Sequence, residues 1–357
     1  MSVPSIEINY NRAADIKLRF EVLKNKKPEL RARNAAQELN ISECELLAAH
    51  VGEAAIKLDE TKIEEILAAL EPLGELMALT RNEDCVSERK GIYANSNFAT
   101  HGKMRQGLFV NADIDLRLFM SHWKYVFAQI EELKNQTRKS LQFFDKSGMA
   151  IHKIYLTSKS SEAEFDKLVA KFRSQNQEAE ITIENYEPKK NDLPDTEIDT
   201  NLLKESWANL KDTHDFFPML MKLKLGRKQA LRLVGEEFAY KVKNNCARKI
   251  LEMAAEKQVP IMVFVGNRGC IQIHSGTVTK LVEAGPWFNV LDSQFNLHLR
   301  EDKIAEIWVT KKPTIDGIVT ALELFNENDE LIVTFFGKRK PGIPELEEWR
   351  EIVKKLG

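Results

Sequence analysis

"LRLFMSHWKYVFAQIEELKNQTRKSLQFFDKSGMAIHKIYL", residues 116–156, aligns without a gap with "LHLREDKIAEIWVTKKPTIDGIVTALELFNENDELIVTFFG", residues 297–337. Leu116 meets Leu297, Phe127 meets Trp308, Leu141 meets Leu322 and Phe144 meets Phe325. The turn DKSG meets NEND. Upstream, LMALTRNEDCVSERKG (76–91) matches IMVFVGNRGCIQIHSG (261–276), with Cys85 against Cys270. A match of this length is a whole domain copied, not a solenoid unit of roughly 20 to 50 residues. Within the second copy, IMVFV, the turn GNRG and CIQIHSG form a hairpin signal. FNLHL, AEIWVT, IVTALELF and LIVTFFG follow as short strands with turns between them. Helical stretches precede the strands, over 31–72 in the first copy and over 200–223 and 227–256 in the second. Helices and strands are segregated in runs. The expected class is therefore α+β, a tandem duplication of a domain with a large antiparallel sheet packed against helices. NYEPKKNDLPDTEIDTN (185–201), with two prolines and many charges, reads as the connection. The expected organisation is a first half over 1–184, a linker over 185–200 and a second half over 201–357.

The bulk numbers narrow the function classes. A chain of 357 residues exceeds one ordinary core. With 43% hydrophobic and 30% charged residues it reads as soluble and globular. A net charge of −2 gives no global attraction to nucleic acid or to an anionic membrane. No apolar run reaches membrane-spanning length, and MSVPSIEINYNRAADIK at the start has no apolar core of a secretion signal, so a cytoplasmic location is expected. Cys44, Cys85, Cys246 and Cys270 are scattered without a Cys-x-x-Cys, and read as reduced thiols. NAAQELNISECELLAAH (34–50) has the rhythm of a helix-turn-helix. Its second helix offers Glu43 and Glu45 where base reading wants Arg, Lys, Asn or Gln, so no nucleic-acid partner is expected. There is no Walker loop, no G-x-G-x-x-G and no serine nucleophile elbow.

KDTHDFFPML (211–220) sets one histidine among phenylalanines. Read as a helix, it puts Trp207, Leu210, His214, Phe217 and Met221 on one stripe, which predicts a buried His214. Such a histidine is either a satisfied core residue or a ligand facing a cavity, and the residues alone favour the first. Pro218 leaves the His214 carbonyl without an intrahelical donor and predicts a bend one turn past the histidine. The remaining histidines, His50, His101, His122, His152, His274 and His298, form no metal-ligand spacing. Arg117 alternates with Leu116 and Leu118, the pattern of the polar face of a half-buried strand. Lys311, Lys312, Lys338, Arg339 and Lys340 form two cationic clusters, which by themselves read as a solvated rim. Phe216, Phe217 and Phe336 by themselves read as core.

DLRLF (115–119), LQFFD with HKIY (141–155), HDFF (214–217), VGNRGC (265–270), WVTKKPT (308–314) and LELF (322–325) together resemble the HemS/ChuS type of haemin-degrading and haem-trafficking proteins. The resemblance spans nearly the whole chain. It implies a haem held mainly by the second half, between a helix and the sheet, with His214 as iron ligand and Arg117 facing the other side of the iron. It implies Arg227, Lys312 and Arg339 near the propionates. The tyrosine common there is Phe336 in this chain, one hydroxyl donor fewer. Some members carry a first-half histidine for a second haem; the matching residue here is Ser87. The implied function is oxidative opening of haem by a cytoplasmic protein, releasing iron for acquisition with an external electron donor. The alternative is a haem chaperone or carrier that passes haem to a separate haem oxygenase. An inner-membrane haem importer and a homodimer complete the implied partners. The chemistry of the residues agrees. Haem iron takes a neutral imidazole whose other nitrogen is hydrogen-bonded. The macrocycle wants an apolar slot with cations for its carboxylates. An arginine cannot lose its proton at ordinary pH, so it supplies donors at the open iron position.

Overall fold

The computed structural model describes residues 11–102, 104–189, 191–340 and 342–357. The first ten residues, on which part of the leader reading falls, lie outside the described residues. Side-chain acceptors turn the corners between strands at equivalent places in the two copies. Asn82 Oδ1 accepts from the backbone N–H of Asp84 and Cys85, as Asn267 Oδ1 does from Gly269 and Cys270. Asp145 accepts from Ser147 and Met149, and Asn326 from Asn328 and Glu330. These side chains replace backbone acceptors in tight turns. The aligned DKSG and NEND are therefore built alike.

The first copy contributes strands β1 (Ala55–Lys57), β2 (Gly74–Arg81), β3 (Cys85–Ile92), β4 (Ser96–His101), β5 (Met104–Val110), β6 (Asp115–Phe119), β7 (Tyr125–Leu133), β8 (Gln136–Phe144) and β9 (Ala150–Ser160). The second contributes β10 (Ala239–Val242), β11 (Ile261–Gly266), β12 (Cys270–Gly276), β13 (Leu281–Ala284), β14 (Trp287–Leu291), β15 (Phe295–Arg300), β16 (Glu306–Thr314), β17 (Gly317–Phe325) and β18 (Leu331–Gly337). Helices α1 (Arg12–Lys26), α2 (Ala32–Glu38), α3 (Glu43–Ala48), α4 (Ile63–Ala68) and α5 (Glu162–Phe172) belong to the first copy. Helices α6 (Thr200–Ala208), α7 (Phe216–Leu223), α8 (Arg227–Leu233), α9 (Cys246–Glu256) and α10 (Glu347–Lys354) belong to the second. The class is α+β, with two large antiparallel sheets and helices packed on them.

One sheet has the order β1-β7-β8-β9-β2-β3-β15-β14-β13, the other β10-β16-β17-β18-β11-β12-β6-β5-β4. Each sheet therefore takes six strands from one copy and three from the other. The two crossing ladders match in register. Cys270 faces Leu118 and Ile271 faces Arg117, while Cys85 faces Leu299 and Val86 faces His298. The chain forms two compact units. One holds residues up to Met77 with Phe98–Gly107 and Phe119–Tyr186; the other holds Ala78–Asn97, Leu108–Leu118 and Glu187–Gly357.

In the second unit, β11 alternates buried and half-buried residues along IMVFVG. Val263, Val265, Leu322, Leu324, Val333 and Phe335 face a core built with α9 and α10, including Trp349 and Ile352. On the opposite face, Trp308 packs under α6, α7 and α8 with Trp207, Phe216 and Leu220. The stretches expected to be helical hold more than helices. Within 31–72 lies β1, and within 227–256 lies β10, each a three- or four-residue strand on the edge of its sheet. Gly235, at φ +99°, ends α8 and admits the turn into β10.

Candidate functional site

The expected helix over 200–223 is two helices. α6 ends at Ala208, and Thr213–Asp215 form a single 3-10 turn before α7 begins at Phe216. The break comes before His214, not after it. Its cause is a capping box: the Asp212 side chain accepts from the His214 backbone N–H at 2.8 Å, and Asp215 accepts from the Asp212 N–H at 3.0 Å. Pro218 is the third residue of α7, a position where a backbone N–H would have no intrahelical acceptor, so the missing donor costs nothing and the helix runs on through it. The expected buried stripe is split accordingly. Trp207 and Leu210 are buried, but the His214 side chain is 89% exposed, and Phe217 and Met221 are 63% and 65% exposed. Phe216, Met219 and Leu220 turn inward instead.

His214 is not a satisfied core histidine. Its Nδ1 lies 2.5 Å from Asp212 Oδ1, and its Nε2 is on the far side of the ring. The His214 backbone N–H holds the Asp212 carboxyl below its usual range against the effect of burial, and the charge of Arg339 adds to this. Arg339 also reaches Asp316, at 3.5 Å, in the turn between β16 and β17. The same turn holds the loop that precedes His214: the Ile315 N–H donates to the Lys211 carbonyl at 3.0 Å.

Side chains directly opposite in an antiparallel ladder share a face. Following the register from strand to strand, Arg117 shares a face with Ile271, and Ile273 with Phe264. Met262 shares it with Phe336, Phe336 with Ala321, Ala321 with Thr310, and Val319 with Lys312. This is the face on which α6, α7 and α8 pack at its β16 end. Towards β6 it is incompletely covered: Phe336, Met262, Phe264, Ile271 and Arg117 are all half-buried. The Phe264 and Phe336 rings lie 4.8 Å apart between centroids. An apolar floor thus runs across four strands, with Arg117 at one end. Sequence reasoning missed Met262, Phe264, Ile271 and Asp212 as site residues.

The charges are arranged unequally. Arg117 pairs with Asp115 on the same strand, and burial raises the Asp115 carboxyl against the pull of that arginine. Lys312 is buried; its Nζ lies 2.7 Å from Glu323 Oε1 and 4.4 Å from the Phe216 ring centre. Arg227, the first residue of α8, donates from Nε to Glu323 Oε2 at 2.7 Å. Burial alone would raise the Glu323 carboxyl, but Arg227 and Lys312 together outweigh it and hold it well below its usual range. The Lys312 ammonium is pushed down, by burial first. Lys312 and Arg227 are therefore brought together by Glu323, while Arg339 reaches Asp316 and its charge is felt by Asp212.

Ser87 is fully buried, and the Gln272 amide donates to its carbonyl and hydroxyl. The second helix of the helix-turn-helix rhythm, α3, buries Cys44, Glu45, Leu46, Leu47 and Ala48 and has little surface to offer a groove. Among the described residues no group of three or more His, Cys, Asp or Glu is placed to hold a bare metal ion. No described helix is long and apolar enough to cross a membrane.

A model of the haemin-degrading HemS/ChuX domain matches the chain twice, over residues 40–172 and 224–356. The chain belongs to the HemS/ChuX family. Hemin transport protein HmuS of Yersinia pestis is 39% identical over 331 residues, covering 91% of this chain and 92% of HmuS. The haem-bound structure of PhuS, a haem-binding protein of Pseudomonas aeruginosa, superposes with a TM-score of 0.94 at 46% identity. It covers 97% of this chain and 99% of PhuS. The heme-degrading enzyme ChuS of Escherichia coli O157:H7 superposes with a TM-score of 0.89 at 38% identity, covering 96% of this chain and 99% of ChuS. Both copies of the HemS/ChuX domain thus fall where the internal duplication puts them.

Proposed function

We propose that this HemS/ChuX chain binds haem between α7 and the uncovered sheet face, with His214 Nε2 as the iron ligand and Arg117 on the opposite side of the ring. One observation carries the reading. An exposed imidazole, oriented through Nδ1 by a carboxylate, leads into a helix with exposed Phe217 and Met221, and that helix packs on the sheet face whose apolar floor ends in an arginine. Phe336 and Phe264 would meet the macrocycle. Arg339, and the part of Arg227 not taken by Glu323, would meet the propionates, with Lys312 acting through Glu323 to fix Arg227.

The reaction we propose is oxidative opening of haem with release of iron, in the cytoplasm, with electrons from a separate donor. Haem itself supplies the iron at which oxygen is activated. Arg117 contributes N–H donors on the far side of the ring, and the apolar floor limits water beside it. A second reading, a carrier that hands haem to a separate oxygenase, is favoured by the exposure of His214, Phe217 and Met221, because an open site permits exit.

Haemin titration followed by absorbance tests the site. The wild type is expected to give a saturable Soret band that His214→Ala loses or shifts; identical spectra reject the assignment. Ascorbate or a reductase is then added in air. Bleaching with iron release that survives catalase supports turnover, whereas clean reduction and reoxidation supports the carrier.

A further inference from the structure

We propose that Asp212 is a positioning residue for the iron ligand: its carboxylate fixes the tautomer of His214 and makes the imidazole a strong, partly anionic donor. The inference rests on the haem reading of His214. Its basis is one oxygen with two tasks. Asp212 Oδ1 takes the His214 backbone N–H at 2.8 Å and lies 2.5 Å from Nδ1 of the same residue. The carboxylate is itself held by the turn, because the Asp212 N–H is tied to Asp215 at 3.0 Å. Ring orientation thus follows from the backbone of one 3-10 turn, not from a free side-chain rotamer.

A proton kept on Nδ1 by this acceptor leaves the Nε2 lone pair as the only ring site for iron. The nature of the acceptor then matters. A backbone carbonyl would accept the same hydrogen bond without a charge. A carboxylate draws the Nδ1 proton towards itself and pushes electron density through the ring to Nε2. Stronger donation stabilises ferric over ferrous iron, so it lowers the midpoint potential of the bound haem. It also slows loss of the haem.

Asp212→Asn separates charge from shape. Asparagine caps a helical turn as well as aspartate does and still offers an oxygen to both N–H groups, so the turn persists and only the charge goes. Full-length wild type, Asp212→Asn and His214→Ala would be loaded with haemin. Three quantities are read: the iron–imidazole stretching frequency of the ferrous complex by resonance Raman, the midpoint potential, and the rate of haem transfer to excess apomyoglobin. For Asp212→Asn the expected result is a retained Soret band, a lower stretching frequency, a higher midpoint potential and transfer about tenfold faster. If Asp212→Asn matches the wild type in frequency and potential while His214→Ala abolishes the band, Asp212 only caps the turn and the inference is overturned with the haem reading intact. If His214→Ala keeps the wild-type spectrum, the reading and the inference fall together.

Discussion

Three charges meet around the Phe216 ring. Lys312 Nζ lies 4.4 Å and the Arg227 guanidinium carbon 5.2 Å from its centre, and Glu323 bridges the two cations from beneath. Lys312 and Glu323 are both essentially sealed from water, with side-chain exposures of 4% and 0%. A buried pair of this kind is costly to break and cheap to replace as a unit. Lys312→Met leaves Glu323 with Arg227 alone. It is expected to lower stability by about 3 kcal/mol in urea unfolding. Replacing both partners, as Lys312→Met with Glu323→Leu, is expected to recover most of that loss. A single variant as stable as the wild type would show that the pair is not coupled. The double variant also frees Arg227 from its anchor, so its haemin affinity should fall while its fold holds.

At the scale of elements, the strands were legible and the helix breaks were not. IMVFV and IVTALELF are short runs rich in apolar and β-branched residues, and Gly, Asn and Asp mark their ends, so five to eight residues suffice to reveal a strand. β1 and β10, AIK and AYKV, are too short to show any period. The apparent stripe from Trp207 to Met221 satisfied helical spacing, yet Asp212-x-x-Asp215 ahead of FFPMLM is a capping signal that overrides it. The candidate site divides in the same way. His214 and Arg117 carry family motifs. Met262, Phe264 and Ile271 look like ordinary core positions, because alternation gives two faces and cannot say which one the helices leave uncovered. β18 and α10 meet so closely that a Cβ at Gly337 would lie 2.6 Å from the Trp349 ring. That indole is buried and donates to the Thr320 carbonyl at 3.0 Å, so it cannot easily retreat. Gly337→Ala is expected to cost about 1–3 kcal/mol, seen as a lower urea midpoint. No change in midpoint would mean that α10 shifts freely on the sheet.

At the scale of the molecule, the two copies are interleaved. The pairing of β12 with β6, and of β3 with β15, could not be read from the sequence, because β3 is the copy of β12 and β6 the copy of β15. Pairing within a copy and pairing across copies satisfy the same pattern. The exchange places Arg117, from the first copy, on the sheet face of the proposed site, whose other residues come from the second. Residues 187–357 expressed alone lack β6 and leave the edge of β12 open. This fragment is expected to self-associate in light scattering and not to reproduce the haemin spectrum of the full chain, and adding residues 1–186 is expected to restore both properties. A monomeric fragment with the full-chain spectrum would refute this. The interleaving also bears on how the protein emerges from the ribosome. β3 is finished about 200 residues before its partner β15, which at typical synthesis rates is roughly 10–40 s with one edge unpaired. β6 waits similarly for β12. The strands that wait, CVSERKGI and DLRLF, carry Glu88, Arg89 and Lys90 and Asp115 and Arg117. CIQIHSG, which finds its partner already made, carries no charged residue, and FNLHLR, which does likewise, carries only Arg300. Charges on a waiting edge discourage pairing with a stranger. The uneven distribution of charge between otherwise equivalent strands thus matches the order in which they are synthesised.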